Sequence, residues 1–246
     1  MNPQPYYSDD AVTIYHGDAL EILCSLLTVG VHADAVLTDP PYASGTRKEA
    51  QKDASGAMLR GERFASRPID LDQMTTTGFV WLMRQTALRC YPLLPDGASF
   101  LSFIDWRQWP NLVGALETCN YRVQQMVVWD KGSIGMGNGF RGQHELICHA
   151  SKGVPTVLNR GIGNVLRHPR QEPVDHPSPK PQALMGQLLD VVTAPGDLVL
   201  DPFMGSGTTL RSAKDHGRRC IGIESVEAHC ETAAKRLAQG VLDLSA

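Results

Sequence analysis

Asp197-Leu198-Val199-Leu200-Asp201-Pro202-Phe203-Met204-Gly205-Ser206-Gly207-Thr208-Thr209 is the stretch that decides the fold. A short β-rich run meets a glycine turn, after which Leu210 to His216 reads helical. Glycines in such a turn let the backbone come close to a ligand, and the unpaired N–H groups at a helix start favour anionic or carboxylate groups. A phosphate-binding loop would need a lysine after Gly207, and none is there; the third glycine of the dinucleotide fingerprint is replaced by Leu210. About 20 residues on, Arg219-Cys220-Ile221-Gly222-Ile223 ends in Glu224, where a doubly wound sheet places an acid for ribose hydroxyls. The implied ligand carries a ribose and no pyrophosphate.

A second motif lies near the other end of the chain. The apolar run Ala33-Asp34-Ala35-Val36-Leu37-Thr38 feeds Asp39-Pro40-Pro41-Tyr42. An Asp-Pro step initiates turns and Pro-Pro cannot continue a central strand, so the tetrapeptide reads either as a plain strand terminator or as a pocket. As a pocket it offers an acceptor carboxylate, two residues without backbone N–H and an aromatic face, which suits a planar aminated ring.

The rest of the chain alternates strand and helix, as in a doubly wound α/β sheet. Strands are expected at Val12 to His16, Ala33 to Thr38 and Ala98 to Phe103. Helices are expected at Ala19 to Leu27, Gly78 to Tyr91, Trp106 to Thr118 and Gln182 to Val192. Val123 to Trp129 and Glu145 to His149 read as a hairpin joined by a glycine-rich stretch. Asp18 precedes a helix and has the makings of its N-cap, with Glu21 three residues on. Ala43 to Asp70 carries charges of both signs and few large apolar residues, and is expected to be a mobile loop beside the Asp39 turn, disordered without a ligand. Val154 to Asp175 resists assignment.

With 246 residues and 42% apolar content, one domain with a sizeable core is expected. The beginning, Met1 to Asp10, lacks a basic region followed by an apolar stretch, and no run is long enough to span a bilayer, so a soluble cytoplasmic protein is expected. Six cysteines are scattered without a Cys-x-x-Cys pair and read as reduced thiols. No His-x-x-x-His pair sits on a convincing helix, so no metal is expected. Formal net charge is −3, yet from Lys131 to Asp175 six basic residues face three acidic ones, in a segment rich in glycine.

Taken together, the motifs resemble the amino-directed DNA methyltransferases that use S-adenosylmethionine, over roughly Val12 to Leu237. Asp39-Pro40-Pro41-Tyr42 looks like their catalytic motif and Asp201 to Thr209 like their cofactor loop. His176-Pro177-Ser178-Pro179-Lys180-Pro181 resembles a third landmark, with Ser178-Pro179 where the family more often has Thr-Gln. Catalytic motif first and cofactor loop last is the circularly permuted order of the β subgroup.

The resemblance implies a doubly wound, Rossmann-like methyltransferase sheet, mostly parallel with one antiparallel hairpin strand, in a single catalytic domain over residues 1–246. It implies that Asp39, Pro40, Pro41 and Tyr42 act on the base. Cofactor contacts are implied for Asp18, Asp39, His176, Lys180 and Pro181, and in the loop and beyond it for Asp201, Pro202, Phe203, Gly205, Ser206, Gly207, Thr208 and Glu224. Residues 131–175 fall where the family keeps its target-recognition region, so Lys131, Arg141, Arg160 and Arg167, with Arg47 and Lys48 in the 43–70 loop, are the candidate DNA contacts.

In the resembled family, Asp at the first motif position goes mostly with adenine and Ser with cytosine. The implied reaction is methylation of the exocyclic N6 of an adenine flipped out of double-stranded DNA. Methylation of cytosine N4 is the alternative. Methyltransferases acting on RNA or protein amides usually begin the motif with Asn and keep the cofactor loop first. A catalytically silent DNA-binding regulator would not need Asp39 and Tyr42 intact. A homodimer is expected from the resemblance, a symmetry suited to palindromic sites.

Overall fold

The computed structural model describes residues 3–42, 74–135, 138–170 and 180–238. The expected 43–70 loop, with Arg47 and Lys48, lies outside the described residues, as does His176.

In chain order the strands are β1 (Tyr7–Ser8), β2 (Val12–His16), β3 (Ala35–Thr38), β4 (Ser99–Ile104), β5 (Tyr121–Asp130), β6 (His144–Lys152), β7 (Val165–Arg167), β8 (Leu198–Asp201) and β9 (Arg219–Glu224). The helices are α1 (Ala19–Thr28), α2 (Thr76–Cys90), α3 (Trp109–Glu117), α4 (Gln182–Val192), α5 (Thr208–Asp215) and α6 (Glu227–Ala238). All nine strands join one sheet in the order β1-β2-β9-β8-β3-β4-β6-β5-β7.

The sheet is mostly parallel. β6 runs antiparallel to both β4 and β5, as the glycine-rich hairpin requires, and β1 pairs antiparallel with β2 at one edge. Two strands escaped the sequence reading: β1 is two residues long, and β7 lies in the unassigned stretch and adds a parallel edge to β5.

Helices cover both faces. Leu23 and Leu26 of α1, Phe79 and Met83 of α2 and Leu112 of α3 pack with Phe100 on one side. Leu184 and Leu188 of α4, Leu210 and Ala213 of α5 and Ala233 of α6 pack with Leu37 and Leu101 on the other. In α1 the buried positions Ala19, Ile22, Leu23 and Leu26 fall on one stripe at helical spacing. Asp18 is the N-cap of α1, its Oδ1 accepting the amides of Leu20 at 2.8 Å and Glu21 at 3.1 Å. Helix α3 starts later than the periodicity suggests because Pro110 sits in its first turn, while Trp106 to Gln108 form a separate turn fixed by Asp105 Oδ1 accepting the Arg107 amide.

The chain leaves β8 through α5 to reach β9 on one side, whereas β3, the other neighbour of β8, continues toward β4 by way of α2. Helices α5 and α2 lie on opposite faces. The boundary between β8 and β3 is therefore the topological switch point of the sheet, where a ligand crevice opens beyond the carboxyl ends of the strands.

Candidate active site

Register alignment brings the two distant motifs together. His16 pairs with Glu224, Asp201 with Gly222, Val36 with Leu200 and Thr38 with Ser102, so the carboxyl ends of β2, β9, β8, β3 and β4 form one rim. Because β6 is antiparallel, its beginning reaches that same rim, with Leu146 opposite Ile104. A cavity of about 450 Å³ opens there, walled by the turns after β2 (Gly17 to Leu20), β3 (Asp39 to Tyr42), β8 (Pro202 to Ser206) and β9 (Ser225 and Val226), and by Glu145 and Lys180. Its size falls in the range of small-molecule and cofactor sites.

The glycine loop is built for close approach. Gly207 caps α5 in the left-handed region at φ +80°, and a Cβ there would lie 2.8 Å from Cβ of Ala233 in α6. Glu224 is tied into the same loop: its Oε2 accepts the Gly205 amide at 3.1 Å and its Oε1 accepts the Val226 amide at 2.8 Å. Two backbone donors thus fix the orientation of the carboxylate at the cavity wall. Ser206 and Thr208 are buried in the loop and Phe203 is half-buried beside it.

Asp201 is 1% exposed. Its Oδ1 accepts the Thr38 hydroxyl at 2.7 Å and the Phe203 amide at 3.1 Å. Burial pushes its carboxyl up to about 7, against the pull of the hydrogen bonds from Thr209, Thr38 and Phe203; the nearby Asp39 charge adds to the rise.

Asp39 stands at the exit of β3 with both oxygens engaged. The Tyr42 hydroxyl donates to Oδ1, and Lys180 Nζ donates to Oδ2 at 2.6 Å. Lys180 is 6% exposed and also lies 3.3 Å from Glu145 Oε2, with its ammonium 5.1 Å from the centre of the Phe103 ring and 5.6 Å from that of Tyr42. Burial lowers the pKa of the Lys180 ammonium, but the attraction of Asp39 and Glu145 outweighs it and the net shift is upward. Burial raises Glu145 in turn, and Lys180 and Lys131 bring it below its usual range.

The structure brings Asp18, Asp39 to Tyr42, Lys180, Asp201 to Ser206 and Glu224 to one cavity, while Pro181 sits just behind it as the N-cap of α4. It divides the basic residues of the 131–175 region. Arg141, Arg160 and Arg167 are exposed, whereas Lys131 is 7% exposed, with its ammonium on Glu145 and 4.8 Å from the centre of the Trp129 ring. The hairpin causes this, since the Lys131 amide donates to Gln143 O and turns the chain back over the rim. Glu145 is a site residue that the sequence reading missed, placed there only at the start of a hairpin strand; Met185 and His229 also line the cavity without having been singled out. Among the described residues no group of side chains is arranged to hold a metal ion, and no helix is long and apolar enough to cross a membrane. Cys24 is exposed and the other five cysteines are buried, all as free thiols.

A sequence profile described as DNA methylase, of the N6/N4 type, matches residues 33–235, from the strand feeding Asp39 to the helix behind the glycine loop. The chain belongs to the N6/N4 DNA methylase family. This methylase is 25% identical to type II methyltransferase M2.DpnII of Streptococcus pneumoniae over 256 aligned residues, covering 95% of the chain and 92% of that protein. Its structure resembles the M1.HpyAVI–SAM complex at 28% identity and a TM-score of 0.69, over 92% of this chain and 100% of the other. It also superposes on the cytosine-N4-specific PvuII DNA methyltransferase with a TM-score of 0.72, at 18% identity over 98% of this chain and 90% of that one, a likeness of fold. The methylase is a DNA methyltransferase with the α/β methyltransferase fold, and its methyl donor is S-adenosylmethionine.

Proposed function

We propose that the methylase transfers a methyl group from S-adenosylmethionine to the exocyclic N6 of an adenine rotated out of duplex DNA, at a specific site. The observation that carries this reading is that Asp39 and Tyr42 open onto the same cavity as the glycine loop and Glu224. A base acceptor and a cofactor-sized site thereby share one crevice.

The residues present fit the cofactor. Glu224, held by the Gly205 and Val226 amides, keeps acceptor capacity for ribose hydroxyls. Asp18 lines the same cavity from the turn after the neighbouring strand β2, where it would accept an adenine amino group while still capping α1. Phe203 would pack against the cofactor, and Gly205 to Thr208 would supply close backbone and hydroxyl contacts. The cofactor supplies a methyl group already made electrophilic by its sulfonium.

The chain's own task is to make a poor nucleophile react. The lone pair of an aromatic amine is delocalised into the ring. Asp39 would accept one N–H and the Pro40 carbonyl the other, turning the lone pair out of the ring plane. Pro41 keeps the turn rigid and Tyr42 would stack on the base, offsetting the few kcal/mol lost when the base leaves its stack. The hydrogen bond to Asp39 strengthens as positive charge develops on nitrogen, so its stabilisation appears mainly in the transition state.

The choice of adenine rests on Asp, rather than Ser, at position 39, with cytosine N4 as the second reading. The exposed Arg141, Arg160 and Arg167, with Arg47 and Lys48, are assigned to DNA phosphates, and Lys131 to the buried charge network. The working unit is assigned as a homodimer of single-domain subunits in the cytoplasm. Nucleoside chromatography of DNA methylated by the pure enzyme tests the reading. N6-methyl-2′-deoxyadenosine supports it, N4-methyl-2′-deoxycytidine replaces it with the second reading, and no modified base in mixed-sequence duplex overturns it.

A further inference from the structure

Lys131, Glu145, Lys180 and Asp39 form a row of alternating charge, its two lysines buried and its two carboxylates partly buried, ending at the residue assigned to the base. The ammonium of Lys131 lies on Glu145 Oε1, Glu145 Oε2 is 3.3 Å from Lys180 Nζ, and Lys180 Nζ is 2.6 Å from Asp39 Oδ2. Four different parts of the chain meet here: the exit of β3, the end of the β5 strand, the start of β6 and the entry to α4. Isolated charges at such burial would be strongly disfavoured, so the row holds only because each is compensated.

The row is not evenly bonded. Glu145 Oε2 is buried and makes no well-aligned hydrogen bond, although an ammonium stands beside it, while that ammonium donates squarely to Asp39. Lys180 is therefore shared between two carboxylates, hydrogen-bonded to Asp39 and ion-paired with Glu145.

We infer that Glu145 is a positioning residue for methyl transfer, acting through Lys180 to hold Asp39 oriented without letting its charge be fully absorbed. The inference rests on the role assigned to Asp39 above. A carboxylate clamped in a complete ion pair is a weaker acceptor for a base amine than one whose counterion is shared. Glu145 draws part of the Lys180 charge toward itself and leaves Asp39 that capacity. Lys131 limits the draw by neutralising the far oxygen of Glu145.

The test is steady-state methylation of duplex DNA by the full-length enzyme, comparing Glu145→Gln, Lys180→Met, Lys131→Met and the Glu145→Gln/Lys180→Met double variant. The Gln substitution keeps shape and removes charge. Glu145→Gln is expected to lower kcat tenfold or more with KM for DNA and for cofactor within about threefold of wild type. The double variant is expected to be no slower than Lys180→Met alone, because Glu145 acts only through Lys180. Lys131→Met, which lets Glu145 pull Lys180 off Asp39 Oδ2 and so loosens the orientation of that carboxylate, is expected to lower kcat severalfold and carries the test if Glu145→Gln does not fold. A wild-type kcat in Glu145→Gln, a loss confined to cofactor KM, or losses that multiply in the double variant would overturn the inference. So would an unchanged kcat in Lys131→Met. An inactive wild-type enzyme would instead strike at the proposed function.

Discussion

Thr38 and Asp201, 163 residues apart in the chain, are joined by a hydrogen bond of 2.7 Å from the Thr38 hydroxyl to Asp201 Oδ1. The bond ties the strand that presents the Asp39 turn to the strand that presents the glycine loop, across the switch point of the sheet.

The same carboxyl makes stability depend on pH. Its folded value, about 7, lies above the 3.8 of an unperturbed Asp. Between those values the folded chain holds a proton that the unfolded chain releases, so the Asp201 contribution is present at low pH and is lost as pH rises toward 7. Asp201→Asn removes the titration while its amide oxygen can still accept from Thr38 and Phe203. Urea unfolding at pH 5 and pH 8 should show wild type losing about 3 kcal/mol more than the Asn variant between the two conditions. Parallel losses in both proteins would show that Asp201 is ionised in the fold throughout.

Much of this arrangement is legible in the sequence, because the residues that signal it act locally. Gly205 and Gly207 announce a turn whose backbone no other residue adopts easily, and Pro40-Pro41 announces the end of a strand. What is not legible depends on which strands become neighbours. The hairpin reading anticipates that β6 runs antiparallel, but nothing near Glu145 in sequence says that β6 pairs with β4 and so sets Glu145 beside Lys180. Lys131 reads as a surface base by residue type, and is buried because the hairpin closes over it. Strands β1 and β7 are too short to show a period and exist because an edge was there to pair with.

Gly207 should tolerate no side chain. Gly207→Ala must adopt φ +80° and also place its Cβ 2.8 Å from that of Ala233, which forces α6 away from the loop. Gly30 is the control, since it has φ +75° and open space around it. Gly30→Ala should cost about 1 kcal/mol from backbone strain alone, and Gly207→Ala about 2 to 3 kcal/mol. Equilibrium dialysis with S-adenosylmethionine should show weakened binding for Gly207→Ala only. Equal losses in the two variants would mean that the contact with α6 relaxes freely.

Asp39 and Tyr42 should separate by what each loses. In the structure the Tyr42 hydroxyl donates to Asp39 Oδ1 while Lys180 holds Oδ2. If a base amine takes the place of that hydroxyl on Oδ1, the hydroxyl adds nothing once the base is bound and the ring is what Tyr42 contributes. Tyr42→Phe should keep kcat within about threefold of wild type. Tyr42→Ala, which forfeits stacking of about 1 to 3 kcal/mol, should raise KM for DNA by about tenfold or more. Asp39→Ala should bind cofactor nearly normally and transfer no measurable methyl group, because its hydrogen bond matters most as charge develops on the amine. Single-turnover transfer from labelled cofactor, read beside cofactor dialysis, distinguishes the three. Retained transfer in Asp39→Ala with lost cofactor binding would move Asp39 from the base to the cofactor. A Tyr42→Phe enzyme as poor as Tyr42→Ala would make the hydroxyl, rather than the ring, the group that the base requires.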